Sequence, residues 1–301
     1  MCSDCRSGVA ILLLLVACTH DERCATTVAL RADFEVPGEG GDSYPCFAFR
    51  SPFALDDHIT SWTPIIDDAR VTHHWLLYRT ATPQAREGYI GECEPSGDGV
   101  LVMGWSPGGE GGALPEGVGL EASVMPDEWL ILQMHYLDAG GSGAIRDRSG
   151  VDICVASRPQ PVVAGIVTTG DVTLEIPPRS SGHTEERLCL QRTERPIVVV
   201  AASPHMHRLG TAIETTVRRG GPDAPDELVF REERFDYDAQ TTYAIEPVEI
   251  RPGDVLRTAC TYDNPGEATV RYGITTADEM CFNFLTVYPI DAFGDEPRVC
   301  R

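Results

Sequence analysis

The chain has 301 residues, of which 42% are hydrophobic, and a formal net charge of −22 at pH 7. This length is enough for one large core or two ordinary ones. Nucleic acids are polyanions that bind basic surfaces, so a chain this acidic is not expected to bind them. The 22 prolines and 29 glycines, spread between short apolar runs, favour a loop-rich all-β protein over a helical one.

An apolar stretch at residues 9–17 has the length of a signal-peptide core and is too short to cross a bilayer as a mature helix. It leads into Leu15-Val16-Ala17-Cys18, which resembles a bacterial lipobox, a motif whose cysteine becomes lipidated. We therefore predict a signal peptide over residues 1–18 and a lipid anchor at Cys18, with membrane contact through this anchor alone. The expected location is the bacterial periplasm or cell envelope, or the exterior. The alternative is an ordinary signal peptide cleaved nearby.

The eleven cysteines support export. Removing Cys2 and Cys5 with the signal, and lipidating Cys18, leaves eight cysteines. None of these eight forms a Cys-X-X-Cys pair, so they suit four disulfides in an oxidising compartment better than a thiolate metal site. Eight cysteines allow many pairings, and their spacing alone does not choose among them.

Short runs with alternating or apolar character follow one another along the rest of the chain, separated by turn-forming residues, and each predicts a strand. In chain order these runs are residues 29–35, 72–78, 129–136, 151–156, 162–169, 172–176, 197–202, 211–218, 228–230, 248–250, 255–260, 269–275 and 282–288. Residues 157–161 (SRPQP) have the composition of a junction. We predict an all-β protein with two tandem jelly-roll β-sandwich domains, residues 24–157 and 160–301.

Three histidines occur in the first half beside predicted strands. His73 and His74 lie in VTHHWLLY, and His135 lies in LQMHY at a strand end. Neighbours on a regular strand point to opposite faces, so His73 and His74 can bind one metal only where the strand is twisted or bulged. The alternative is one buried and one exposed histidine.

The second half has a different set of candidate ligands. His205 and His207 in SPHMHRLG stand two residues apart, so an extended strand directs both to one face, close enough to share a metal. Met280 in ADEMCFNF is a thioether, which suits copper(I), although core packing is the usual role of a single methionine. Loop-like surroundings predict a surface position for the remaining three histidines, His20, His58 and His183.

These four motifs, in this order, resemble the copper type II, ascorbate-dependent monooxygenases over roughly residues 24–300. The resemblance implies two copper ions per chain, one in each jelly-roll domain, facing each other across a solvent-filled cleft. The implied ligands are His73, His74 and His135 for an electron-transfer copper and His205, His207 and Met280 for the copper at which catalysis occurs. It also implies an oxidoreductase that uses ascorbate as reductant and O2 as co-substrate to hydroxylate a C–H bond of a small organic substrate.

The resemblance further implies three disulfides, Cys46–Cys93, Cys189–Cys300 and Cys260–Cys281, and leaves Cys24 and Cys154 as a fourth pair. Gln133 stands where the family has a glutamine in the cleft, so it is a candidate for binding the cofactor in a bridging or orienting role, with a structural role as the alternative.

Three positions depart from the peptide-hydroxylating members of this family. Those members hold the substrate carboxylate with an arginine where this chain has Ser203, and with an asparagine and a tyrosine where it has Phe282 and Phe284. A glycine-extended peptide is therefore not the expected substrate, and the phenylalanines favour an apolar pocket for an aromatic or aliphatic compound.

Two other functions compete with the monooxygenase. One is a non-catalytic exported lipoprotein that stores, delivers or senses copper. The other is a zinc hydrolase that uses His73, His74 and His135, because three histidines and a water form a known zinc arrangement. The zinc hydrolase leaves Met280 and the second histidine pair without a role.

Overall fold

The computed structural model describes residues 24–93, 100–123, 125–138, 143–273, 275, 277–294, 296 and 298–300. Within these ranges the regular elements are strands, apart from two 3-10 turns, so the all-β prediction is confirmed. In the same ranges no helix has the length and apolar character needed to cross a membrane. The predicted signal peptide over residues 1–18 and the predicted anchor at Cys18 lie outside the described residues.

The first half of the described chain contains strands β1 to β13. They are β1 Thr26–Arg31, β2 Phe34–Val36, β3 Gly41–Ser43, β4 Pro45–Arg50, β5 His58–Ile65, β6 Thr72–Thr80, β7 Gly88–Glu92, β8 Val100–Trp105, β9 Gly112–Ala113, β10 Val118–Glu121, β11 Trp129–Asp138, β12 Ile145–Asp147 and β13 Gly150–Val155. Five of them form a sheet in the order β7-β4-β11-β6-β8, and β3 adds to β11. Alternate residues of β6 and β11, including Trp75, Leu77 and Leu132, fill the core of this half.

The second half contains strands β14 to β24 and the two 3-10 turns. They are β14 Val162–Asp171, β15 Glu175–Ile176, β16 Ser180–Leu190, β17 Ile197–His205, β18 Gly210–Arg218, β19 Asp226–Glu232, a turn at Tyr237–Ala239, β20 Tyr243–Ile250, β21 Val255–Asn264, β22 Val270–Arg271, β23 Cys281–Tyr288, a turn at Ile290–Phe293 and β24 Val299–Cys300. A four-stranded sheet, β16-β21-β18-β19, shares an apolar core with strands β14, β23 and β17.

One sheet runs through both halves of the chain. Its order is β1-β13-β5-β10-β14-β23-β17-β20, and the parallel pairing of β10 with β14, which sets Val118 opposite Val162, joins the halves. His58 lies beside this junction, where the backbone N–H of Gln160 donates to its Nδ1 at 2.8 Å. The expected surface position of His58 is therefore wrong, because its side chain is buried by the strands of the joined sheet. The domain boundaries and the jelly-roll connectivity stay predictions.

All four expected disulfides are present: Cys24–Cys154, Cys46–Cys93, Cys189–Cys300 and Cys260–Cys281. Cys260 of β21 and Cys281 of β23 belong to different sheets, so their bond links the two layers of the second half. A chain with this many disulfides is stable in an oxidising compartment.

Candidate metal centres

The first histidine set is assembled by two adjacent strands. Strand β11 places His135 opposite His74 of β6, and the next pair along is Tyr136 with Thr72. His73 is therefore the extra residue of a β-bulge, which is the irregularity that the sequence required for His73 and His74 to point the same way. One nitrogen from each of the three rings lies within 4.8 Å of those of the other two.

The spacing and protonation of these rings fit one metal ion. The Nδ1 atom of His74 is 3.1 Å from that of His73 and 3.3 Å from that of His135. Nitrogens bound at about 2.0 Å to one tetrahedral ion are about 3.3 Å apart. A single ring nitrogen carries one proton or one lone pair, so His74 cannot satisfy both neighbours by hydrogen bonding, whereas a shared cation satisfies all three.

Burial and hydrogen bonding keep these imidazoles neutral and oriented. Burial lowers the pKa of His135 to about 4, and burial, together with the neighbouring imidazoles, lowers the pKa of His74. The Nε2 of His135 lies 2.7 Å from a carboxylate oxygen of Asp42, which fixes the proton on Nε2 and leaves the Nδ1 lone pair facing His74. The donor set is therefore ready to bind a cation at neutral pH.

The second histidine pair has its tautomers set by two carbonyl oxygens. The Nδ1 of His205 donates to Oε1 of Gln240 at 2.7 Å, and Gln240 is itself oriented because its Nε2 donates to the backbone carbonyl of Tyr237. The Nδ1 of His207 donates to the backbone carbonyl of Asp278 at 3.0 Å. Both rings therefore keep a lone pair on Nε2, the atom that remains available to a metal.

Glu279 links the His207 loop to the Met280 backbone. One carboxylate oxygen accepts the backbone N–H groups of His207 at 2.9 Å and Met280 at 3.1 Å, and the other accepts that of Leu209 at 2.6 Å. Burial raises the pKa of this carboxyl to about 7 despite these hydrogen bonds. The structure thus brings the backbone of Met280 next to His207, and the ligand role of its thioether stays a prediction.

The two histidine sets are in contact. The ring centroids of His74 and His205 are 6.0 Å apart. The Tyr237 ring stacks on His73 at 4.7 Å and meets His207 edge-on at 6.3 Å. The solvent-filled cleft implied by the resemblance is therefore not what the structure has between the sets. No local sequence pattern points to Tyr237, because it lies in a polar segment far along the chain from the histidines.

Gln133 lies in β11, two residues before His135, and is buried. Its Nε2 donates to the backbone carbonyl of Cys93 at 2.6 Å. This contact supports the structural alternative for Gln133, because it holds the end of the Cys46–Cys93 disulfide against the sheet.

A pocket opens beside the two histidine sets. His74 lines it from the first half, and His205, Ser203 and Phe284 line it from the second. Phe284 lies 6.2 Å from His205, ring to ring, whereas Phe282 is buried and packs edge-on to Tyr272. Two of the three positions that depart from the peptide-hydroxylating pattern therefore lie at this pocket.

Comparison with known proteins gives a consistent result for both halves. The family model for the copper type II ascorbate-dependent monooxygenase N-terminal domain matches residues 28–141, and the model for the C-terminal domain matches residues 162–299. Peptidyl-glycine alpha-amidating monooxygenase B of Xenopus laevis is 27% identical over 281 residues, covering 86% of this chain and 30% of that protein.

Two further relatives carry a different name. DBH-like monooxygenase protein 1 of Gallus gallus is 28% identical over 291 residues, covering 85% of this chain and 46% of that protein. DBH-like monooxygenase protein 2 of Mus musculus is 25% identical over 309 residues, covering 93% of this chain and 49% of that protein. The chain thus spans less than half the length of each of these relatives.

Proposed function

The chain belongs to the copper type II ascorbate-dependent monooxygenase family, and from this premise we propose that it hydroxylates a C–H bond of a small organic molecule with O2 and ascorbate. The proposal includes two copper ions per chain. One is held by His73, His74 and His135, and the other by His205, His207 and Met280. The observation that carries the proposal is the contact between two sets of neutral imidazoles beside one pocket.

Copper, when bound, supplies one-electron redox chemistry and activation of O2. The residues of this chain prepare the two sites for it in different ways. Asp42 fixes the ring of His135, and Gln240 fixes the ring of His205, so that the metal-facing nitrogens need no rearrangement. A thioether from Met280 would favour copper(I) at the second set, whereas the first set offers imidazole alone. Two sites with different ligands are useful in redox catalysis, whereas a storage protein has no use for two different ligand sets.

The close approach of the two sets supports electron transfer between them. Tyr237 packs against one ring of each set. The four disulfides support work in an oxidising compartment, and we propose that the protein is exported, with a lipid anchor at Cys18. Its partner is a small-molecule substrate.

The test compares copper-loaded wild type with Met280→Ala, with Met125→Ala at an exposed methionine as the matched control. Wild type and Met125→Ala should bind two copper ions and consume O2 only with ascorbate. With a mixture of small aromatic alcohols, amines and glycine-extended peptides, labelled O2 should place one labelled oxygen atom in a product. Met280→Ala should keep the three-histidine copper and lose the product.

Two outcomes overturn this proposal. Protein with two bound copper ions and no ascorbate-dependent O2 consumption would be a copper carrier or sensor. Protein that retains zinc in preference to copper at His73, His74 and His135, and hydrolyses a substrate, would be a hydrolase.

A further inference from the structure

The pocket beside the histidine sets lies between the two halves of the chain. Leu101 and Trp105 of β8 line it from the sheet of the first half, and Ile166 of β14 and Phe284 of β23 line it from the sheet that runs through both halves. All four side chains are only partly buried, although they face the interior space between two sheets. Apolar side chains left half-covered in a concave site are typical of a surface that a ligand completes.

The walls of this pocket carry no fixed charge. Among the described residues that line it there is no aspartate, glutamate, lysine or arginine. Its two histidines, His74 and His205, belong to the candidate metal sites described above. No side chain of the pocket supplies a counter-ion, so in the metal-free protein a charged ligand gives up its hydration without compensation, and this desolvation is expensive. The net charge of −22 adds a long-range repulsion against anions.

Two indole rings of the pocket pack against glycine backbones. The Nε1 of Trp105 donates to the carbonyl of Gly109 at 2.6 Å, and a side chain at Gly109 would come within 3.1 Å of the same ring. A side chain at Gly112 would come within 2.2 Å of the Trp62 ring. The Trp105 ring is thus held by a hydrogen bond and the Trp62 ring packs closely on a glycine backbone, so both offer flat surfaces, which favour an aromatic ligand by stacking or edge contacts.

Most of the other polar side chains that line the pocket are hydroxyls. Ser203 and Thr242 are hydrogen-bonded to each other at 2.7 Å, and Thr242 is exposed. Thr286 and Thr241 also line the pocket. A hydroxyl can donate or accept, so this group can bind an alcohol, ether or amide, but it does not neutralise an ion.

We propose that this pocket binds an uncharged aromatic compound, with its ring between the apolar walls and an uncharged polar group near Ser203 and Thr242. That this ligand is the substrate rests on the proposed monooxygenase function, because His205 lines the same pocket. The inference excludes two charged classes, carboxylate-bearing peptides and protonated aromatic amines.

Binding to the metal-free protein tests the inference independently of catalysis. The probes are 2-phenylethanol, phenylacetate and 2-phenylethylamine, which share one skeleton and differ in the charge of the end group. Trp62 and Trp105 line the pocket, so tryptophan fluorescence reports binding, and calorimetry checks the affinity. The alcohol should bind at least about tenfold more tightly than either ion. Equal or tighter binding of the acid or the amine overturns the inference.

A charge placed in the pocket should reverse the preference. Ser203→Arg should make phenylacetate the tightest of the three ligands, whereas Thr184→Arg, which adds the same charge on the exposed strand β16, should leave the wild-type order unchanged. If Ser203→Arg does not fold, Leu101→Lys makes the same test from strand β8. A folded variant that keeps the wild-type order contradicts the assigned position of the polar group.

Hydroxylation by the copper-loaded protein is measured separately. Selective binding of the alcohol without hydroxylation of any probe or mixture component overturns the proposed function and leaves the ligand class standing. Hydroxylation of a charged compound that binds as tightly as the alcohol overturns the ligand class and leaves the proposed function standing.

Discussion

Replacing Glu279 should weaken copper binding at the set of His205 and His207 and leave copper binding at the three-histidine set unchanged. Its buried carboxylate accepts backbone N–H groups from His207, Leu209 and Met280, and Glu279→Ala leaves all three without this acceptor. At about 1–3 kcal/mol for each buried donor, the loss in unfolding free energy is about 3 kcal/mol or more. Because burial raises the pKa of this carboxyl to about 7, removing the charge offsets part of the loss at alkaline pH.

Glu279→Gln corrects for that charge effect. It also removes the charge, but it keeps the side-chain volume and one acceptor oxygen. The difference between the two variants therefore contains the hydrogen bonds and the buried side-chain volume but not the charge, and Glu279→Ala should be the less stable by about 2 kcal/mol or more. The measurement is denaturant unfolding of the metal-free protein at matched pH.

Copper binding supplies the second measurement. Without Glu279 the His207 and Met280 backbones lose their common anchor, so Glu279→Ala should bind one copper ion per chain where wild type binds two. The matched control is Asp147→Asn in the first half, where a buried carboxylate accepts from Ser149 and the hydroxyl of Tyr136. This control should lose stability and keep copper at the second set. Full copper binding by Glu279→Ala, with a stability change below about 1 kcal/mol, would refute the reasoning.

Three further predictions concern single side chains. Burial lowers the pKa of His58 below its usual 6.5, so the unfolded chain takes up a proton first. The free energy of unfolding therefore falls as pH falls through that value, by up to about 1.4 kcal/mol per pH unit. Denaturation across that range should give a flatter profile for His58→Asn, and equal slopes for the two proteins would show that His58 is protonated in the folded state. Asp42→Asn should weaken copper binding at the His135 set by about 10–100-fold in a competition titration, and unchanged affinity would rule out an orienting role. Tyr237→Ala should lower the unfolding free energy by about 3 kcal/mol, and by more than Tyr237→Phe, because the ring packs against His73; equal losses would contradict this.

Much of this protein is determined locally. Alternation of apolar and polar residues is a property of a few consecutive positions, and it located β6 and β11 to within two residues at each end. The same reasoning ended β17 at residue 202, whereas the strand continues to His205, because pairing with β23 outweighs the polar character of Ser203 and Pro204. The spacing of His205 and His207 is equally visible in the sequence, whereas the assignment of six residues as copper ligands came from the resemblance and stays a prediction.

Only the tertiary structure decided which distant segments meet. The buried position of His58 follows from strand pairing across the junction, and no neighbour in the sequence signals it. The bulge at His73 depends on the register of β11 against β6, which is set by side-chain packing along the whole strand pair. The contact of His74 with His205 and the place of Tyr237 beside both sets depend on how the two halves pack. Such contacts are fixed by burial and hydrogen bonding summed over many remote residues, and so no short stretch of sequence contains them.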